Sequence, residues 1–506
     1  MENVIKIGKY TLESLTTGMY TDPKIIYREY IQNSVDAIEE AVNNRYMEIS
    51  DAKIEIIIDQ DEYKVTIYDN GAGVKANEAY NTLTDIGNSK KKHTNNRGFR
   101  GIGRLGGLSY CDKLIFTTSY KGENTKAIVV FNCKRLKELL IPGEYDQYDL
   151  TSVIKEVTSF YTEHESEDLH YFVVEMEGID EFSVLLDVDR IESYIRQVGP
   201  VPYSKIFSWA SQIKDAFNDY GLNLSEFPIF IGTKQNELHQ IFKPNKDSFV
   251  SDMTKKLHDR ISDINIFEVK DEYNDSMAIG WYAECSWLGG IVDKEISGLR
   301  MRKGNILIGD SKTLSPIFKE ERFNGWTQGE IFILTDKLIP NARRDDFEQN
   351  DAYYYFIEQL TQGVGTDISR KIREASKQRN NPVDKKIKEA KMVVSNAVTI
   401  NQQGFNSDLE KSLVEKEIKQ NLDIISNLKT AIPEQEKMKE ETIEELTKVL
   451  DITQKNDHLK VYNIKNLGKR EMEVLRVVSN VLTKNLTKEC VDMLLDEIIE
   501  ELESEG

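Results

Sequence analysis

The chain has 506 residues and a formal net charge of −20, with 86 acidic against 66 basic side chains. That balance leaves no electrostatic footprint for wrapping duplex DNA. A hydrophobic content of 39%, with 23 Tyr and 19 Phe, excludes a disordered chain, and the length predicts three or four domains.

Cys111, Cys133, Cys285 and Cys490 are widely scattered and read as reduced thiols. Six equally scattered histidines argue against a zinc site. The polar start and the lack of a membrane-length apolar run predict a cytoplasmic protein with no membrane association.

Residues 27–38, Tyr-Arg-Glu-Tyr-Ile-Gln-Asn-Ser-Val-Asp-Ala-Ile, predict an amphipathic helix. Glu29, Asn33 and Asp36, spaced i, i+4, i+7, fall on one narrow strip. Tyr27, Ile31, Val35 and Ile38 form an apolar stripe beside it, so the strip runs along the edge of a buried face. A carboxylate there loses hydration, which a donor, a metal or a ligand must compensate. The alternative is a surface helix with its acids in water.

Residues 53–60 and 63–68 are β-branched and roughly alternating, and predict two antiparallel strands joined at Asp61-Glu62. The second strand runs into Asp69-Asn70-Gly71-Ala72-Gly73. A turn alone would explain this. Yet Asp69, as the last strand residue, holds a fixed acceptor carboxylate, and Gly71 and Gly73 let a flat ligand approach the backbone.

A glycine-rich stretch follows, Gly98-Phe-Arg-Gly101-Ile-Gly103-Arg-Leu-Gly-Gly107. Its exposed N–H groups suit phosphate oxygens, though a lone cluster is more often a mobile loop than a phosphate cradle. The G-x-G-x-x-G at 101–106 follows a polar loop instead of a strand, which excludes a dinucleotide fingerprint. The Gly-Lys-Ser/Thr ending of a P-loop is missing.

Further on, strand-like runs begin at Ala278, Asn305 and Glu330. From about residue 366 the composition shifts to Lys, Glu, Ile and Leu. Leu413, Ile418, Leu422, Ile425, Leu428 and Ile432 predict an irregular amphipathic helix, broken at Pro433. Ile443, Leu446 and Leu450 continue it as a helical hairpin or coiled coil. A last helical pair is expected over 468–503, with Val474, Val477, Val478 and Val481 lining its first member.

The order Glu-x-x-x-Asn on a helix, Asp-x-Gly-x-Gly after a strand, then Gly-x-x-Gly-x-Gly resembles the GHKL ATP-binding superfamily. Heat-shock-protein-90 chaperones, type II topoisomerases, mismatch-repair ATPases and sensor histidine kinases belong to it. The chaperone branch looks closest: residues 15–29 resemble its entry into the first ATP-site helix, and 98–103 with 110–118 its lid end and following strand. Leu338-Ile-Pro-Asn-Ala-Arg-Arg344-Asp345 looks like the chaperone segment that carries an arginine to the γ-phosphate. Gly-Phe-Arg-Gly is nearer the mismatch-repair branch, and the Gly-Thr that usually precedes the strand at Tyr171 is absent. No His precedes His93, which sets the histidine-kinase reading aside.

The resemblance covers roughly residues 1–365. It implies an α/β protein: a GHKL ATP-binding sandwich over 1–185, an α/β transducer over 186–365, and a helical dimerisation or docking region over 366–506. It implies Glu29 as general base, Asn33 as the Mg²⁺ ligand, and Asp69 as the partner of the adenine amine with Gly71 and Gly73 beneath the base. Gly98, Gly101 and Gly103 would wrap the triphosphate, with Ser89, Lys90 and Asp36 as further nucleotide contacts. Arg344, or its neighbour Arg343, would reach the γ-phosphate. The implied protein is an Mg²⁺-dependent, chaperone-like ATPase, a homodimer acting on a protein partner. The alternatives are a nucleic-acid-handling ATPase, disfavoured by charge, and an ATP-sensing regulatory subunit such as one in a bacterial defence operon.

Overall fold

The computed structural model describes residues 7–15, 22–86, 103–379, 382–430, 433–459 and 468–504. They form a mixed α/β protein with two large sheets followed by a helical region. Among them no helix is long and apolar enough to cross a membrane.

The first sheet comprises β1 (Ile54–Asp59), β2 (Lys64–Asp69), β3 (Lys113–Ser119), β4 (Thr125–Asn132), β5 (Thr158–His164), β6 (Tyr171–Glu177), β7 (Ile229–Gly232) and β8 (His239–Gln240), in the order β5-β4-β3-β6-β2-β1-β7-β8. Its pairs are antiparallel except β1–β7, which sets Ile54 beside Ile229. Period-2 alternation turns Ile54, Ile56 and Ile58 of β1 inward, and likewise Val65, Ile67 and Asp69 of β2. The opposite face is polar, with Glu177 paired to Lys64 at 3.4 Å and to Lys113 at 3.3 Å.

Helices cover the inner face. α1 (Tyr10–Leu15), α2 (Ile25–Asn43), α3 (Ala76–Thr84), α4 (Cys133–Leu139), α5 (Leu150–Val157) and α6 (Val188–Val198) accompany this sheet. Tyr27, Tyr30, Ile31, Val35 and Ile38 of α2 enter its core, whose buried residues run on past residue 185 to Ile241. The first sheet therefore takes two strands from beyond the segment that the motifs marked out.

A second core gathers residues from Tyr203 to Ala375. It includes α7 (Ala210–Asp219) and a small ribbon of β9 (Ser248–Ser251) and β10 (Leu257–Arg260). Its main sheet has the order β11-β12-β15-β13-β14, made of β11 (Asp263–Lys270), β12 (Ser276–Glu284), β13 (Gly298–Lys303), β14 (Ile306–Ile308) and β15 (Gln328–Ile333). α8 (Asp351–Leu360) and α9 (Thr366–Arg379) close this unit.

One acid lies inside it. Glu330, in the middle of the fully buried β15, faces two cations, Arg302 of β13 and Lys243, whose Nζ is 3.0 Å from Oε2. Tyr203 donates its hydroxyl to the same carboxylate, and Trp281 Nε1 donates to Tyr203 at 3.1 Å. Arg302 also donates to the carbonyls of Gln197 (2.8 Å) and Gly199 (3.3 Å), at the end of α6. The network thus joins the second sheet to the helix that flanks the first. Burial alone would raise the Glu330 carboxyl, but Arg302 and Lys243 overcome it and hold the group at about 2.

The helical region holds α10 (Pro382–Gln403), α11 (Asp408–Ser426), α12 (Pro433–Lys455), α13 (Lys469–Asn485) and α14 (Lys488–Ser504). Pro433 is the first residue of α12, where its missing N–H costs nothing. α10, α11 and α12 pack on one another, so the expected hairpin has a third member. The seam of α11 runs through Val414, Ile418 and Ile425, whereas Leu413 faces outward. In α13, Leu475 and Ser479 point inward and Val474, Val477 and Val481 are exposed, one position out of register with the expected stripe. Cys111, Cys133 and Cys285 are buried free thiols and Cys490 is an exposed one.

Candidate functional site

The polar strip of α2 forms one wall of a cavity of about 400 Å³, within the range of small-ligand pockets. Asn33 and Asp36 line it with Glu39, Glu40 and Asn43 further along the helix. Phe116, Phe172 and Val174 from β3 and β6 supply the apolar floor, with the two rings tilted and 5.8 Å apart. An acidic, flat-floored slot of this kind accepts a planar aromatic group carrying a donor.

Asp69 is the acceptor at its end. The inward alternation of β2 buries it to 3% exposure on the side of Val65 and Ile67. Its Oδ1 accepts the Gly71 N–H at 3.0 Å, which fixes the carboxylate against the turn. The turn itself is pinned from several sides: Ala72 N–H donates to the Ala37 carbonyl of α2 at 2.9 Å, and His170 Nδ1 lies 2.9 Å from the Gly71 carbonyl. The Asn70 amide donates to the Asp51 carbonyl at 2.7 Å. Gly73 follows with φ of +70°, and a Cβ there would stand 2.0 Å from the Ser119 carbonyl oxygen. No other residue fits that backbone.

Glu29, one helical turn before Asn33, lies outside the cavity lining but beside its continuation. Its carboxylate is packed against Gly103, where a Cβ would meet Oε2 at 2.3 Å. Gly103 opens a 3₁₀ turn, Gly103–Ser109, that Tyr30 of α2 holds: its hydroxyl donates to the Arg104 carbonyl at 3.1 Å and accepts the Gly107 N–H at 3.2 Å. Ser89, Lys90, Gly98 and Gly101 lie outside the described residues.

Arg344 arrives from far along the chain. Its Nε is 3.3 Å from Glu29 Oε1, and Arg28 Nη2 is 3.6 Å from the same atom. Arg28 also donates to the Arg343 carbonyl at 2.8 Å, tying this segment to α2. Arg344 holds φ of +55°, an uncommon backbone for a residue with a side chain. Its N–H donates to the Asn341 carbonyl at 3.1 Å and its own carbonyl accepts from Gly309 at 2.9 Å. Of the two neighbouring arginines, Arg344 directs its side chain at Glu29, while Arg343 is exposed.

Several buried polar atoms here lack hydrogen bonds, among them Arg28 Nε and Arg104 Nε. Glu29 Oε1 has only its two ion pairs, and both amide atoms of Gln32, 1% exposed on the same helix, have no partner. Buried polar atoms left this way mark a place where a ligand or water completes the bonding. The set therefore fits a nucleotide: a slot with a fixed acceptor, then backbone and a carboxylate at the other end. Among the described residues no group of three His, Cys, Asp or Glu could cage a metal. That donor set suits Mg²⁺ held mostly by phosphate oxygens and water, with one protein oxygen, which Asn33 can supply.

Sequence reasoning missed Tyr30, His170, Phe116, Phe172, Gln32 and Arg104. Tyr30 and Gln32 lay inside the quoted helix, and Arg104 directly follows Gly103. Phe172 in β6 and Phe116 in β3 come from strands, and His170 directly precedes β6; their place near Asp69 depends on tertiary pairing.

Residues 21–161 match the family model described as "Histidine kinase-, DNA gyrase B-, and HSP90-like ATPase". The Chaperone protein HtpG of Dechloromonas aromatica (strain RCB) is 36% identical over 90 residues, 17% of this chain and 14% of that relative. The Chaperone protein HtpG of Wigglesworthia glossinidia brevipalpis is 30% identical over 187 residues, 31% of this chain and 27% of that relative. The chain thus spans under a third of the length of either relative. It carries a GHKL-type ATPase domain and is distantly similar to HtpG over part of its length.

Proposed function

We propose that this chain, with its GHKL-type ATPase domain at residues 21–161, binds and hydrolyses ATP in the α2 cavity and turns that cycle into work on a protein partner. The observation that carries the reading is the meeting of Glu29 and Arg344, 3.3 Å apart, one helical turn from Asn33 and just beyond the lining of a cavity that holds Asp69.

Asp69 accepts a hydrogen bond from the exocyclic amine of adenine, with Gly71 and Gly73 under the ring and Phe116 and Phe172 on its floor. The phosphates extend toward Gly103. Glu29 takes the proton of the water that attacks the terminal phosphorus, the bond from that phosphorus to the bridging oxygen breaks and ADP leaves, and Arg344 stabilises the charge on the transferring phosphoryl oxygens. Asn33 would help to hold a Mg²⁺ ion, which would supply charge neutralisation at the phosphates. Since Arg344 lies in the second unit and Glu29 in the first, the spacing of the two units governs turnover. The partial likeness to the HtpG chaperones supports a chaperone-like reading, in which the chain would act as a homodimer on a protein target.

The test pairs calorimetric ATP binding with steady-state hydrolysis. Glu29→Ala is expected to bind ATP with Mg²⁺ within about threefold of wild type while hydrolysis drops by roughly 10²–10⁴. Hydrolysis that persists in Glu29→Ala rules Glu29 out as the base, and a wild type that binds no ATP ends the whole reading.

Arg344→Ala should likewise bind normally and turn over about a hundredfold more slowly. Arg343→Ala, whose side chain is exposed, should behave as wild type. The reverse pattern would move the charge-stabilising role to Arg343.

A further inference from the structure

The lining of the α2 cavity poses an electrostatic problem for the nucleotide just proposed. Four carboxylate residues face it, Asp36, Glu39, Glu40 and Asp69, and Arg104 is the single basic residue among the described lining residues. A polyphosphate chain entering between those acids needs a cation at hand, and Mg²⁺ covers only part of that demand.

Arg104 has the geometry for it. It directly follows Gly103, which packs on Glu29, so its backbone stands at the phosphate end of the cavity. Tyr30 holds its carbonyl to α2, and its Nη2 donates to the Asp85 carbonyl just after α3. The side chain is therefore fixed at both root and tip. Its Nε, however, is buried with no hydrogen-bond partner. Burial pushes its pKa down, which Asp85 partly offsets, yet a guanidinium keeps its charge at any physiological pH. A held, charged donor with one N–H unmet, in a cavity otherwise acidic, is matched by an anionic oxygen.

We infer that Arg104 is a phosphate-binding residue of the nucleotide site, donating to the polyphosphate chain while Asp69 holds the base. The inference rests on the nucleotide reading above. It makes Arg104 the group that separates phosphorylated from unphosphorylated adenine ligands. The rival role is a clip, in which Arg104 merely joins its turn to the end of α3 through Asp85.

Adenosine and Mg²⁺-ADP titrated calorimetrically into full-length wild type, Arg104→Ala and Arg104→Lys separate the two roles. Arg104→Ala should lose about tenfold or more in ADP affinity and stay within about twofold for adenosine. Arg104→Lys, which keeps the charge without the fork, should recover most of the ADP affinity. Equal losses for adenosine and ADP in Arg104→Ala would show the clip and overturn the inference, as would unchanged ADP affinity. Wild-type protein that binds neither ligand overturns the nucleotide reading itself, and is recognised because all three proteins then give flat titrations.

Discussion

Asp69→Asn is expected to lower ATP affinity by about a hundredfold, the value of one charge-assisted hydrogen bond together with the cost of a mismatched donor. The substitution keeps the shape of the side chain, so the turn remains free to form. What changes is chemistry. An ionised carboxylate only accepts, whereas an amide presents an NH₂ on one side. In the structure Oδ1 is already taken by the Gly71 N–H at 3.0 Å. The network therefore sets the amide oxygen on Gly71 and turns the NH₂ toward the incoming amine, donor against donor. Calorimetry of ATP binding reads the loss, with circular dichroism and the melting temperature to show that the fold persists. Affinity within threefold of wild type would mean that Asp69 is not the base-recognising group.

The second large effect is on stability. Below about pH 7, where Lys243 is still an ammonium, Glu330→Gln should destabilise the protein by about 3–5 kcal/mol, because it leaves the Lys243 and Arg302 cations buried without their counter-charge. Combining it with Lys243→Met should restore a good part of the loss, since the ammonium and its missing partner go together. Urea unfolding measures both, and a loss under about 1 kcal/mol would show that the cluster is already solvated.

The pH dependence has a definite sign. Glu330 is held at about 2 in the folded state against an ordinary value of about 4.3 for an unfolded glutamate. Its contribution is fully present above about pH 4.3 and is lost as pH falls toward 2. Wild type and Glu330→Gln should therefore converge in stability across that window, the glutamine standing in for the protonated acid. Lys243 acts at the other end. Burial, with Arg302 adding to it, pushes the ammonium down to about 7. The folded state then binds fewer protons than the unfolded one between about pH 7 and 10.4, so this group makes stability rise with pH there.

Local periodicity made much of the site legible. The strip Glu29, Asn33 and Asp36 on α2 and the position of Asp69 at the end of β2 follow from spacings of 3.6 and 2, which sequence carries directly. The Leu338–Asp345 segment was found by its resemblance, and its approach to Glu29 could not have come from spacing at all. What stayed hidden depends on partners distant in the chain. Glu330 sits in a run that reads as a strand, but nothing nearby in sequence tells that Lys243, Arg302 and Tyr203 converge on it. The exposed Val474, Val477 and Val481 misled for the opposite reason: a valine-rich helix offers two apolar stripes, and packing chose the one through Leu475. The parallel pairing of β1 with β7 was equally invisible, since no short-range pattern marks a parallel partner.

That pairing has a consequence for how the protein is made. On the ribosome, β1 and β2 leave the exit tunnel early, yet the neighbour of β1 on its other side is β7, which is synthesised after α7. At roughly 5–20 residues per second the open edge of β1 waits on the order of ten seconds or more. Until then its Ile54, Ile56 and Ile58 lack part of their cover, and its unpaired N–H and C=O groups can recruit another strand. The nascent chain is thus most exposed to misassembly, and most in need of a holding factor, between the emergence of β2 and that of β7.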